Sequence, residues 1–214
     1  MYSVIIPCAG LGSRMKLGYN KILFKMGNGK TVIENTVDIF IKDSKCNQIV
    51  LVAHKDELEG LKKQFNNSKI ELVLGGSTRQ ESVYNGLKQV MNDDVLIHDG
   101  ARPYLKQASI NELLVCLNKS KACLLMVGVK DTVKIVNNNL VSKTLDRSQL
   151  MLAQTPQAFK KDIILKAYQK ACLEEFVATD DCSLVEHYQL ANIQVVLGDY
   201  GNIKITTMED IKEL

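Results

Sequence analysis

Val4, Ile5 and Ile6 form a continuous apolar run, too short for a helix, and Pro7 closes it because proline cannot donate to a strand ladder. A short run that is apolar at every position predicts a strand covered on both faces, as in a parallel sheet. Gly10, Gly12 and Gly18 follow directly, with Arg14, Lys16 and Lys21 set among them. Glycine lets the backbone bend sharply and come close to a ligand. Open N–H groups and cationic side chains in such a loop suit a polyphosphate. Two familiar phosphate loops do not fit. A dinucleotide fingerprint needs glycine at Met15, and a Walker loop ending in Gly29-Lys30-Thr31 needs glycine at Phe24. Taken alone, the stretch reads equally well as a βα turn with solvated basic residues.

The remaining chain alternates strand and helix signals, which predicts an α/β fold with a mostly parallel sheet. Residues 31–43 place Ile33, Val37, Phe40 and Ile41 on one helical face. Strands are expected at 48–53, 70–74, 94–98, 122–127 and 193–197, with a further run at 202–205. Helices are expected near 55–65, at 79–91 with Val83, Leu87, Val90 and Met91 inward, and at 161–174. A short helix is opened by Thr179-Asp180-Asp181. Ser109 and Glu112 have the spacing of a capping box ahead of Ile110, Leu113, Leu114 and Leu117. The pattern changes at residues 133–136 and 140–144, two short strand-like runs around Asn137-Asn138-Asn139. Asparagine tolerates the left-handed backbone of a tight turn. A lone two-stranded ribbon is marginal, so this arm needs a surface to lie against. One domain over 1–214, with an arm at 130–147, is the expected organisation.

At 214 residues and 46% apolar content, the chain has ample material for a buried core. A net charge of +3, with no basic run beyond two residues, argues against a nucleic-acid partner and makes any anion site local. No apolar run approaches a membrane span, and the opening residues lead straight into a core strand, so neither membrane nor leader is expected. Six separated cysteines without a Cys-x-x-Cys pair read as reduced core thiols in a cytoplasmic protein.

Ligands of open parallel sheets sit at the carboxyl ends of strands. The Gly-rich loop, Gly75-Gly76 and Asp99 each follow a predicted strand, so three loops converge on one edge. The basic loop suits phosphates, Asp99 suits a hard cation such as Mg²⁺ bridging them, and Gly75-Gly76 leaves room for a flat base. Each piece also has a plainer reading. Asp99 can bond its own loop, Thr179-Asp180-Asp181 can be an acidic helix start, Thr155-Pro156 can be a turn, and Arg147 can be a solvated charge.

Taken together and in order, these segments resemble the 2-C-methyl-D-erythritol 4-phosphate cytidylyltransferase family of sugar- and alcohol-phosphate nucleotidyltransferases. The resemblance covers nearly the whole chain and implies a Rossmann-like sheet flanked by helices, with a protruding β-arm for dimerisation. It implies that Pro7, Cys8, Ala9, Gly10 and Gly12 form the triphosphate loop, with Arg14, Lys21 and Lys204 as catalytic cations. Cys8 replaces the usual small residue, and Asn20 stands where many members have proline, which predicts a looser loop. Gly75, Gly76, Arg79 and Ser82 resemble the segment that reads cytosine and ribose. Asp99 and Gly100 match the aspartate loop, Asp99 also serving the metal. Arg102, Thr155, Thr179 and Asp180 match acceptor-side positions. Thr132 and Arg147, at the base of the arm, match residues that reach the acceptor phosphate in a neighbouring subunit. The implied partners are CTP, an alcohol phosphate, Mg²⁺ or another divalent cation, and a second copy of the chain. Ribitol 5-phosphate is the nearest alternative acceptor, and a non-catalytic nucleotide-binding domain is the alternative from another class.

Overall fold

The protein is described by a computed structural model covering residues 1–10, 20–207, 209 and 210. Seven strands form one sheet: β1 (Tyr2–Pro7), β2 (Cys46–Ala53), β3 (Ile70–Leu74), β4 (Asp94–Ile97), β5 (Ala122–Gly128), β8 (Met151–Lys160) and β9 (Ile193–Leu197). Their spatial order is β3-β2-β1-β4-β8-β5-β9. β8 runs antiparallel to β4 and β5, and the other neighbouring pairs run parallel. Among the described residues, six α-helices connect them: α1 (Val32–Lys42), α2 (Leu58–Gln64), α3 (Arg79–Leu87), α4 (Gln107–Leu117), α5 (Lys161–Leu173) and α6 (Asp181–His187).

The sheet is buried on both faces, which explains why its central strands read as unbroken apolar runs. Val4, Ile6, Ile49 and Leu51 share one core cluster with Val37 and Phe40 of α1 and Leu113 of α4. Ile5, Val50 and Val52 point the other way, into a cluster with Val83 of α3, Ile164 of α5 and Val185 of α6. Thr31 caps α1, with Glu34 closing a reciprocal capping box that stabilises the helix start by about 1 kcal/mol.

Three sequence expectations fail locally. The Ser109–Glu112 box does not form, because α4 begins one turn earlier, after Lys106. Leu105 and Ile110 then occupy the two staple positions and share one core cluster, so apolar burial sets the helix entry. Met91 is 70% exposed because α3 ends at Leu87, which takes residue 91 off the buried face. Residues 202–205 join no strand; they run beside the loop after β4, where Ile205 N donates to Ala101 O.

β8 was not anticipated, because its buried stretch includes Gln154, Thr155 and Gln157 and is interrupted by Pro156. Residues 154–156 of β8 face the single residue Leu125 of β5 where the register breaks. Proline, lacking an N–H, fits where the ladder is interrupted. All six cysteines are free; Cys172 is exposed, while Cys8, Cys46, Cys123 and Cys182 are buried.

The arm is present as a separate two-stranded ribbon, β6 (Lys134–Asn137) and β7 (Leu140–Thr144). Asn138 and Asn139 have φ of 49° and 63°, the left-handed pair that a two-residue hairpin turn requires. Every residue of both strands is exposed. Among the described residues, no helix is long and apolar enough to cross a membrane.

Candidate active-site cleft

β1 is flanked by β2 on one side and β4 on the other, so the strand order reverses between β1 and β4. A crevice is expected at the carboxyl ends of such strands. A cleft of about 480 Å³ opens there. Pro7, Cys8, Ala9, Gly10 and Lys21 line it together with Gly76, Arg79, Ser82, Asp99, Gly100 and Lys204. Gly12 and Arg14 lie outside the described residues.

Asp99 is the electrostatic centre. It is 7% exposed, with Lys204 Nζ at 2.8 Å from Oδ2, Arg79 Nη2 at 3.3 Å from Oδ1 and Arg102 Nε at 3.7 Å from Oδ2. Burial works against its charged form, but Arg79, Lys204 and Arg102 outweigh it and hold the carboxyl well below the usual carboxylate range.

His98 locks the backbone of this loop. Its Nε2 lies 3.1 Å from Arg102 O, a group that can only accept, so Nε2 carries the proton. Nδ1 is then an acceptor and takes the Thr155 hydroxyl at 3.2 Å, while Thr155 Oγ1 accepts from Asp99 N at 3.0 Å. Burial keeps the ring neutral, its pKa pushed down to about 4. The break in β8 register thus delivers a hydroxyl to the Asp99 backbone.

Arg102 stands behind Asp99, donating from Nη1 to Asn202 O at 2.6 Å. Its buried Nε has no hydrogen-bond partner among the described residues. Asn202 in turn donates to Thr155 O at 2.9 Å, which seats the segment carrying Lys204.

The Gly75-Gly76 turn is shaped by close approach as much as by open space. A Cβ on Gly75 would meet the Cβ of Ala9 at 2.6 Å, and one on Gly76 would collide with Glu81. Ser82 holds the turn, accepting from Gly76 N at 3.1 Å and donating to Thr78 O at 2.8 Å.

Asn20 anchors the turn that carries Lys21. Its buried side chain donates to Cys8 O at 2.8 Å and Glu57 Oε2 at 3.1 Å, and it accepts from Ile22 N at 3.3 Å. Lys21 therefore begins a 3-10 turn pinned to the exit of β1.

Other expected site residues stand apart from the cleft lining. Asp180 caps α6 and accepts from Gln157 at 2.7 Å, while Thr179 is exposed beside Ser183. Thr132 is exposed near the arm, and Arg147 lines a separate hollow with Gly128, Asp146 and Met151, donating to Lys130 O at 2.6 Å. Sequence reasoning did not single out Asp181, which is fully buried and bonded through both oxygens to Arg79. A charge sharing a helical face with Leu184 and Val185 was the available signal.

Residues 2–213 match the sequence model of the family described as 2-C-methyl-D-erythritol 4-phosphate cytidylyltransferase. The chain is 43% identical over 215 residues to the protein of that name from Halalkalibacterium halodurans, covering 98% of this chain and 93% of the relative. The Clostridioides difficile protein of that name is 41% identical over 217 residues, with 99% and 91% covered. The crystal structure of 4-diphosphocytidyl-2C-methyl-D-erythritol synthase from Anaerococcus prevotii superposes with a TM-score of 0.88 at 36% identity, covering 100% of this chain and 93% of that one. With sequence and fold matched over nearly the full length of both partners, this chain belongs to the 2-C-methyl-D-erythritol 4-phosphate cytidylyltransferase family.

Proposed function

We propose that this chain transfers CMP from CTP to 2-C-methyl-D-erythritol 4-phosphate, releasing pyrophosphate. The observation that carries this reading is the cleft at the β1/β4 switch point, lined by Ala9, Gly10 and Lys21 together with Asp99 and the cations Arg79 and Lys204 that meet it. The reaction joins two anions. An oxygen of the acceptor phosphate attacks the α-phosphorus of CTP, and the bond to the β-phosphate breaks as pyrophosphate leaves with its electron pair. The protein's part is to neutralise charge and align the groups, so no covalent intermediate is required. Lys21 and Lys204 serve this charge together with Arg14. The backbone at Ala9 and Gly10 serves the triphosphate, and Gly76 and Ser82 shape the pocket for base and ribose.

Asp99 fits a divalent ion held by one carboxylate and substrate phosphates, the usual arrangement for Mg²⁺. It is buried, anionic and in the cleft wall, and the described residues contain no group of three acidic, His or Cys side chains that would form an all-protein cage. When bound there, Mg²⁺ supplies further neutralisation of the triphosphate.

The acceptor side is completed by Thr132 and Arg147 from the arm of a second copy, so the working form is a cytoplasmic homodimer of single-domain chains. Arg102, Thr155 and Asp180 act mainly by fixing the acceptor wall, because their side chains bond within the chain. The test is pyrophosphate release from each of four nucleoside triphosphates with 2-C-methyl-D-erythritol 4-phosphate or ribitol 5-phosphate as acceptor. CTP with the methylerythritol phosphate is expected to dominate. Preference for ribitol 5-phosphate would replace the acceptor, and equal turnover of ATP and CTP would remove base reading from the Gly75-Gly76 turn.

A further inference from the structure

Arg79 stands between two carboxylates and is shared unequally. Its Nη1 and Nη2 meet the two oxygens of Asp181 at 3.0 and 2.8 Å, a two-pronged pairing. Its contacts to Asp99 Oδ1, from Nε and Nη2, are longer at 3.3 Å. Asp181 opens α6 and is fully buried, and Tyr168 of α5 donates its hydroxyl to Oδ1. The Arg79 side chain nonetheless keeps 35% of its surface open and lines the cleft.

Two-pronged pairing is the strongest geometry between arginine and a carboxylate, and it occupies both carboxylate oxygens. Were Arg79 to pair with Asp99 in this way, Asp99 would be closed to anything entering the cleft. We propose that Asp181 is a positioning residue: by taking the forked end of Arg79, it confines that guanidinium to the longer contacts with Oδ1 of Asp99 and leaves Oδ2, with its Lys204 partner, to the nucleotide. This inference rests on Asp99 being the nucleotide-side carboxylate of the function proposed above. The dependence runs both ways. Without Asp181, the fork is released to close on Asp99; without Arg79, a buried carboxylate loses its compensating charge. Substitutions at the two positions are therefore coupled, as expected for charges that share one contact.

The test is a double-mutant cycle on CTP affinity, measured by titration calorimetry in Mg²⁺ buffer, with steady-state kinetics alongside. A wild-type protein that neither binds CTP nor releases pyrophosphate would overturn the proposed function, and this inference with it. Given an active wild type, Asp181→Asn is expected to weaken CTP binding and raise its KM about tenfold, leaving the acceptor KM unchanged. On an Arg79→Gln background the same change should alter CTP affinity by less than about twofold. An equal loss in both backgrounds would show that Asp181 does not act through Arg79. If Asp181→Asn fails to fold, Tyr168→Phe replaces it, since it loosens Asp181 without removing charge. An approximately threefold loss of CTP affinity, abolished by Arg79→Gln, supports the proposal; a loss indifferent to Arg79, or none at all, overturns it.

Discussion

The loop after β4 and the arm of β6 and β7 meet the same requirement in opposite ways. In the loop, His98, Asp99 and Arg102 are bonded to one another or to Thr155, Lys204, Arg79 and Asn202, all from this chain. Their geometry exists before a ligand arrives, which is what electrostatic catalysis requires. The arm has no such enclosure. Ile135, Val136, Leu140 and Val141 are 41–73% exposed on a ribbon too small to be stable by itself. One half of the proposed site is built within the chain, and the other half carries apolar surface that calls for cover. The proposal of a shared active site rests on that contrast, and the contrast can be broken experimentally.

The largest effect is expected from mixing two inactive variants. Lys21→Ala and Arg147→Ala should each lower turnover by about two to three decades, the usual consequence of losing a preorganised charge contact. If Arg147 serves the neighbouring chain, a mixed dimer gathers both lesions in one site and leaves the other intact. With free exchange about half the dimers are mixed, so about a quarter of full activity should return. If Arg147 serves its own chain, every site keeps a lesion and mixing restores nothing. An unrescued mixture, with exchange shown independently, would mean that the arm completes its own cleft.

Why the loop and arm were legible from sequence, while much between them was not, has a physical basis. β1 announces itself because both of its faces are buried, and the Asn138-Asn139 turn because few other residues accept that backbone. β8 stays hidden because its inward groups are polar and satisfied at a distance: Gln157 bonds Asp180 and Cys182 N, and Gln154 bonds Asp199 O. No periodicity reports a partner that lies twenty or more residues away. Asp181 was masked by its neighbour, because a Thr179-Asp180-Asp181 run reads as a helix start, which it also is. The contacts of Asn20 stayed hidden for a related reason: they depend on Cys8 O and Glu57, which only the fold brings within reach.

A smaller effect should separate loop from arm through pH. His98 stays neutral in the folded chain down to about pH 4, whereas an unfolded histidine takes a proton near 6.5. Between those values the unfolded state binds more protons, so stability is complete above 6.5 and falls as pH drops toward 4. At pH 5 this group alone should remove about 2 kcal/mol. Urea midpoints measured from pH 7 to 5 should fall less steeply in His98→Gln than in the wild type. Arm substitutions should leave the slope unaltered. An identical slope in His98→Gln would assign the pH dependence to other groups and weaken the picture of His98 as the loop's fixed neutral anchor.

The smallest effect should come from the turn of the arm, and it bears most directly on whether the arm belongs to the fold or to the assembly. Asn138 and Asn139 both hold left-handed backbone, where an ordinary L-residue costs about 1–2 kcal/mol. Replacing both with alanine should therefore weaken a ribbon that has little stability of its own. Neither β6 nor β7 contributes a residue to the core clusters, so the melting temperature of the seven-stranded body should hardly move. The loss should appear as association instead. Specific activity should fall when the variant is diluted and recover when it is concentrated, because a partner surface can restore the ribbon's order by binding it. A lower melting temperature with activity independent of concentration would place the arm within the cooperative fold, and the division between a self-built cleft and a borrowed arm would fail.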